Sequence, residues 1–388
     1  MKIAQFFDPI QQPISVWQEV AARNDLVYFP GWNNSNAQQF ARYLQRLGAN
    51  TFQYQNSEST MGRTTRWDYN YMLATHPEWF IYAESSSPST IVEEKNYNDN
   101  CIVNMLNPDF RAWWISRIVE KFQDWGFGAF LDVVCSCLEQ DYYDTDPNPM
   151  YAYPAGLGGS GTEITNENWS AAFLAFLTEL RPEGITTCIN GIWSGYKYYT
   201  FSNIMDDLIP LTDYVMFEGF LRSAGTGIET FESETLWVYN INYLTVLGDK
   251  ALIYLQVGVP ATIAQLARWF YYSFASYFLG CTVNSHFMWR NKTETTLAKD
   301  YWPEMKRILT TIGTPSESFT DIADAKDRLT NGTNTYHRAF SDGLVLVNPT
   351  ASNDSGVVLG GTYYDENGDA QTSVDMDAHT GKILTTSY

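Results

Sequence analysis

Two apolar runs in this chain end on a carboxylate. Gly126-Phe-Gly-Ala-Phe-Leu-Asp132 is one, and Tyr214-Val-Met-Phe-Glu218, 86 residues further along between the two acids, is the other. A strand this apolar is buried on both sides, so an ionised acid at its last position is costly unless it meets solvent, a partner or a substrate. Two such acids opening on one pocket could hydrolyse a glycosidic bond, one giving a proton to the leaving oxygen and the other meeting the anomeric carbon. Side chains alternate along a strand, so Phe130 shares a face with Asp132, and Tyr214 and Met216 share one with Glu218. The apolar neighbours Phe217 and Phe220 are expected to keep Glu218 protonated as the acid, with Asp132 ionised as nucleophile or stabiliser. The bland reading makes either acid a helix cap or ion-pair partner; two at strand ends favour catalysis.

Other strand ends offer neutral amides and indoles, which suit hydroxyl hydrogen bonds and ring stacking. Trp32 and Asn33 follow the first expected strand, Gln55 and Asn56 the second, Asn190 and Trp193 the fifth; Gln256 ends the seventh, and His286 and Trp289 follow the eighth. Each is as readily a cap or rim residue as a substrate contact. His286 could orient Glu218 or bind a hydroxyl, although a packed histidine is at least as common. Asp141, Asp144 and Asp146 sit in a Tyr-, Asp- and Gly-rich stretch. That stretch lacks the glycine and closing glutamate of a calcium loop, so a solvated acidic turn is the favoured reading. Cys135 and Cys137 have no companion cluster, and neither metal nor cofactor is expected.

The elements that must carry these residues alternate from about residue 26 to 313. Strands are expected at 26–30, 51–54, 79–82 (or 102–105), 128–134, 185–190, 213–217, 251–256 and 281–284, with helices between them at 36–47, 107–125, 166–180, 230–247, 263–279 and 300–312. Eight strand–helix units favour a (β/α)8 TIM barrel over an open doubly wound sheet, and no Gly-rich dinucleotide turn follows the first strand. After Thr314-Pro315 short strands alternate with turn signals such as Glu366-Asn-Gly368. The expected division is a catalytic barrel over 1–315 and a small, sandwich-like all-β domain over 316–388. The long connection 136–165 reads as a lid or binding loop.

At 388 residues, 45% hydrophobic and 16% aromatic, the chain has ample core for this architecture. Its 44 acids against 24 bases, a formal charge of −20, argue against nucleic acid or an anionic membrane as partner. Thirteen Trp and 26 Tyr exceed the needs of a core; a cleft that stacks sugar rings uses them, and so does a wet protein–protein surface. The partner expected is therefore an oligo- or polysaccharide. Five scattered cysteines do not form a disulfide framework. The start of the chain lacks the apolar stretch of a signal peptide and no segment is long enough to span a bilayer, so a soluble protein is expected, which leaves open whether it acts inside a cell, is exported otherwise or belongs to a virus particle.

The run Asn107-Pro108-Asp-Phe-Arg111…Trp125-Gly-Phe-Gly128-Ala-Phe-Leu-Asp132 resembles the helix–strand signature of TIM-barrel glycoside hydrolases. These are the hypothetical glycosyl hydrolase families and, more distantly, the endo-α-1,4-polygalactosaminidase group. His76-Pro-Glu-Trp-Phe80, Tyr214-Val-Met-Phe-Glu218 and the closing Gly343-Leu-Val-Leu-Val-Asn-Pro349 are similar to further patterns there. The resemblance spans most of the chain, and its strand-four motif is the specific part. It implies Asp132 as nucleophile and Glu218 as general acid/base of a retaining enzyme. Where several relatives carry a second acid or Asn after the strand-four Asp, this chain has Val133-Val134-Cys135, so subsite chemistry does not carry over. The competing class is a non-catalytic glycan-binding or virion structural protein on the same barrel. A deacetylase is disfavoured because no Asp/His/His metal set stands at the strand ends.

Overall fold

Eight short parallel strands hydrogen-bond edge to edge into a closed ring: β1 (Lys2–Phe6), β2 (Leu26–Phe29), β3 (Asn50–Asn56), β4 (Gly128–Asp132), β5 (Thr187–Ile189), β6 (Tyr214–Glu218), β7 (Ala251–Val257) and β8 (His286–Asn291). β1 closes the ring by pairing with β8 through Lys2↔His286 and with β2 through Ala4↔Leu26. The computed structural model describes residues 1–6, 26–29, 35–56, 59–60, 67–83, 91–94, 97–132, 134, 150–151, 164–191, 194–200, 204–223, 225–291, 302–326 and 334–387. Trp32, Asn33, Trp193, Cys135, Cys137 and the acids Asp141, Asp144 and Asp146 lie outside them.

Inside the ring, Ala4, Phe52, Phe130, Cys188, Met216, Leu252, Tyr254 and Met288 form one buried cluster, so the barrel is a filled core and not a pore. The alternate residues of the same strands, among them Leu131, Ile189, Val215, Phe217, Ile253 and Trp289, pack outward against helices. Gly128 begins β4 where a Cβ would lie 2.7 Å from Thr186 O and 2.8 Å from the Phe52 ring, so no larger residue fits.

Sequence-level caps set the helix ends. In α1 (Pro108–Trp125), Asn107 accepts from Asp109 N and Phe110 N, and Gly126 stops the helix at φ 70°. Capping boxes open α2 (Asn166–Leu180) at Thr165 and α4 (Ile263–Gly280) at Thr262. Between these two helices, α3 (Glu234–Leu247) begins after the Ser233 cap, four residues later than expected, because Gly227 to Thr230 forms a turn of its own. Among the described residues no helix is long and apolar enough to cross a membrane.

Three strand assignments change. The first barrel strand is Lys2–Phe6, so the run at 26–30 supplies the second. Neither candidate for the third strand enters the barrel. Pro77–Trp79 is a 3-10 turn, Tyr82–Ala83 pairs antiparallel with Met150–Tyr151, and Tyr97–Ile102 pairs antiparallel with Ser59–Thr60 and Glu93–Glu94. Phe80, Ile81 and Ile102 are nonetheless wholly buried, which gives them the composition of a barrel strand. The eighth strand lies at His286–Asn291 and not at 281–284, where Ser285 and Thr282 hold a turn by side-chain bonds to the backbone. The gain at the start cancels the loss in the middle. Asp132 remains on strand four and Glu218 on strand six.

The C-terminal unit is an antiparallel sheet of β9 (Tyr336–Phe340), β10 (Gly343–Asn348), β11 (Asp354–Tyr364), β12 (Ala370–Met376) and β13 (Thr380–Thr385), in the order β9-β10-β13-β11-β12. β10 is buried on both sides: Val345 and Val347 join the barrel's outer core, while Leu344 and Leu346 join Val357, Leu359, Val374, Met376 and Leu384. The sheet lies on α4. A Cβ on Gly381 would fall 2.5 Å from Tyr271 O, and Arg338 Nη1 donates to the end-of-helix carbonyls of Phe278 and Leu279 and to Cys281 O at 2.9, 3.2 and 2.8 Å. At the other end of α4 four groups stack face to face. The Arg222 guanidinium lies 4.6 Å over Trp269, Trp269 stacks on Phe231 at 4.4 Å, and Phe231 stacks on His379 of the sheet at 4.4 Å.

Candidate active site

Each polar residue at the barrel mouth stands two positions above an inward apolar one. Asp132 follows Phe130, Asn190 follows Cys188, Glu218 follows Met216 and Gln256 follows Tyr254, so the alternation that fills the barrel also aims these four side chains at one opening. The layer beneath them mixes Phe130 and Tyr254 with Cys188 and Met216, and Tyr54 stacks on Phe130 at 6.0 Å.

Asn190 and Gln256 hold the acids. Asn190 Nδ2 donates to Asp132 Oδ1 and to Glu218 Oε2, both at 2.8 Å. Gln256 Nε2 donates to the other Glu218 oxygen, Oε1, at 2.6 Å. Because one nitrogen touches both acids at 2.8 Å, twice that length, 5.6 Å, is the ceiling on the distance between Asp132 Oδ1 and Glu218 Oε2. The amides are buried, at 6% and 2% exposure, whereas Glu218 is exposed and Asp132 partly so. The carboxyl groups therefore face the opening from a wall of fixed amide donors. Phe217 and Phe220, expected to surround Glu218, instead pack on each other, Phe217 also on Tyr243 of α3, behind the strand. Phe217 turns away because Val215 and Phe217 face the helices while Met216 faces the barrel interior; Phe220 lies in the turn beyond the strand.

The chain leaves Glu218 through a tight turn. Gly219 N and Phe220 N both donate to Tyr254 O, at 3.1 and 3.3 Å, and Leu221 takes φ 61° while 2% exposed. A buried leucine in the left-handed region is strained, a condition that persists where surroundings over-determine the backbone. Below the acids, burial first and then the Asp132 charge push the Cys188 thiol well above its ordinary range.

The remaining candidates divide. Gln55 and Asn56 lie on β3 in register with Leu131 and Asp132, so their backbone reaches the mouth. His286 does not. It opens β8 at the opposite end of the barrel, in register with Lys2 and Leu252, 1% exposed and edge-on to Tyr214. Burial, followed by Lys2 and the terminal amine, brings its imidazole down to about 3, so it stays neutral and cannot serve Glu218. Trp289 faces the helices, edge-on to Phe270 of α4. The residue of β8 in register with Gln256 is the exposed Arg290, which the sequence reading passed over because it began the strand too early. Period-two alternation counted from His286 would have found it. Among the described residues no three His, Cys, Asp or Glu side chains group as metal ligands.

The model of hypothetical glycosyl hydrolase family 15 matches residues 43–344, a span that includes Asp132, Asn190, Glu218 and Gln256. The chain belongs to that family. Solved structures agree with the fold of this member of hypothetical glycosyl hydrolase family 15. A maltogenic α-amylase, AmyB from Thermotoga neapolitana, superposes with a TM-score of 0.55 at 11% identity, over 100% of this chain and 98% of that one. The GH36 α-galactosidase AgaA from Geobacillus stearothermophilus, in complex with stachyose, gives 0.53 at 10% identity over 99% of this chain. A GH31 dextranase from Flavobacterium johnsoniae, complexed with glucose, gives 0.52 at 12% over 99% of it. The chain spans only 55% of that α-galactosidase and 51% of that dextranase. No curated protein matches the sequence.

Proposed function

We propose that this chain cleaves a glycosidic bond of an oligo- or polysaccharide with retention of anomeric configuration, Asp132 acting as nucleophile and Glu218 as general acid/base. Glu218 gives its proton to the glycosidic oxygen as Asp132 attacks the anomeric carbon. The carbon–oxygen bond breaks, the leaving sugar departs as an alcohol, and a covalent glycosyl-enzyme remains. Glu218, now a carboxylate, takes a proton from water as that water displaces Asp132 and restores both groups.

The observation that carries this is the spacing of the acids. Their nearest oxygens lie within 5.6 Å, in keeping with the roughly 5–5.5 Å of retaining enzymes and short of the roughly 6.5–9.5 Å that leaves room for an inverting water. The carbohydrate partner rests on family membership and on the amide donors that line the mouth.

The test is hydrolysis by Asp132→Asn and Glu218→Gln. Each is expected to lose about 10³-fold or more in kcat while keeping thermal stability and glycan affinity. Proton NMR of the first-formed product is expected to show the starting anomer. Wild-type turnover in either variant would end the assignment, and an inverted product would replace attack by Asp132 with attack by water.

A further inference from the structure

We infer that Gln256 is a positioning residue dedicated to the Glu218 carboxylate, kept in the barrel wall at a cost to the fold. The inference rests on the reading of Glu218 as acid/base and deepens it. Gln256 lies on β7, all seven residues of which are buried, and is itself 2% exposed. Its Nε2 reaches Glu218 Oε1 at 2.6 Å, but its own buried Oε1 accepts from no group among the described residues. An amide carbonyl without a donor in such a place lowers stability, and Met or Leu would fill the space without that penalty. What glutamine adds is an N–H on Glu218.

That donor acts where charge appears. As Glu218 gives its proton to the leaving oxygen, negative charge develops on a carboxyl group already met by Gln256 at Oε1 and Asn190 at Oε2. A bond that strengthens with that charge favours the transition state over the ground state. Among the described residues the far end of the amide has no partner, so the bond to Glu218 is the one that sets which way it faces. Among the described residues, Asp132 on β4 shares the Asn190 donor with this carboxyl, and Arg290 of β8 stands in backbone register with Gln256; neither is altered by substitution at 256.

Gln256→Met preserves length and removes the donor. The measurement is kcat, KM and their pH dependence on aryl glycosides with a phenol and with a 2,4-dinitrophenol leaving group, beside thermal melting. The expected result is an unchanged or higher melting temperature. Turnover should fall about 10-fold or more with phenol, which needs the proton, and only about 3-fold or less with dinitrophenol, which does not. The alkaline limb of kcat/KM should move up by about 0.5–1 pH unit, since the anion has lost a donor. A lower melting temperature with an unmoved limb overturns the inference in favour of a structural role, and a raised KM at constant kcat overturns it in favour of a substrate contact. Wild-type chain that hydrolyses neither glycoside fails the reading of Glu218 itself, and the inference with it.

Discussion

Asn190 has two amide hydrogens on Nδ2, and each carboxylate at the mouth receives one. Without them the two carboxyl groups would face each other inside 5.6 Å, and the charge that develops as Glu218 gives up its proton would lose a donor. Asn190→Ala is therefore expected to lower kcat/KM by about 10²-fold, the scale of losing one preorganised donor, with steady-state kinetics as the check. Asn190→Asp, which adds a third acid to the cluster, should do worse. Cys188, directly beneath, is wholly buried and its thiol is held protonated by burial and by Asp132. Native chain treated with iodoacetamide at pH 8 should leave it unlabelled, with full labelling after denaturation, as read by mass spectrometry. Asp132, Asn190, Glu218 and Gln256 were legible because each ends or follows an apolar strand, a pattern that survives without any knowledge of tertiary contacts. His286 and Trp289 misled because their placement depends on where one strand begins: the later start leaves His286 at the far end of the barrel, and the alternation of side chains turns Trp289 to the helices.

Elements with strong local signals stand where the sequence puts them: α1 between Asn107 and Gly126, and α2 and α4 behind their capping boxes. The strands were harder, since a buried antiparallel strand beside the barrel and a strand within it share one composition; pairing partners distant in sequence decide between them. The segment that follows β6 shows how such a connection earns its place. Glu232, partly buried there, accepts from Asn240 Nδ2 of α3 at 2.5 Å, yet burial outweighs that bond and raises its carboxyl to about 7 from an ordinary 4.5. The folded chain thus keeps a proton that the unfolded chain releases, so this group's contribution to stability is full below about pH 4.5 and is lost as pH rises to about 7. Melting temperatures of wild type and Glu232→Gln across pH 4–8 should diverge through that window, with the variant gaining relative to wild type as pH rises. A constant difference would remove Glu232 from the account.

At the scale of the whole molecule, the barrel and the C-terminal sheet share a helix. Arg338, 5% exposed, reaches from β9 to Phe278 O, Leu279 O and Cys281 O, where a helix end would otherwise leave buried carbonyls unmet. Arg338→Met is expected to cost about 2–4 kcal/mol, measured by urea denaturation as a lowered midpoint without a second transition. The five strands of that sheet were readable from their turns, but nothing local to either segment announces that β13 must touch α4 through a glycine.

The stack of Arg222, Trp269, Phe231 and His379 ties the connection leaving Glu218 to a hairpin 160 residues later in the sequence. A protease or an engineer that trims the chain after β12 would strip one face of Phe231 and loosen the support behind the proposed acid. The C-terminal sheet is thus no detachable ornament: under the proposed function, shortened versions of this chain should be judged by turnover as well as by solubility, because damage there would surface first as slow chemistry.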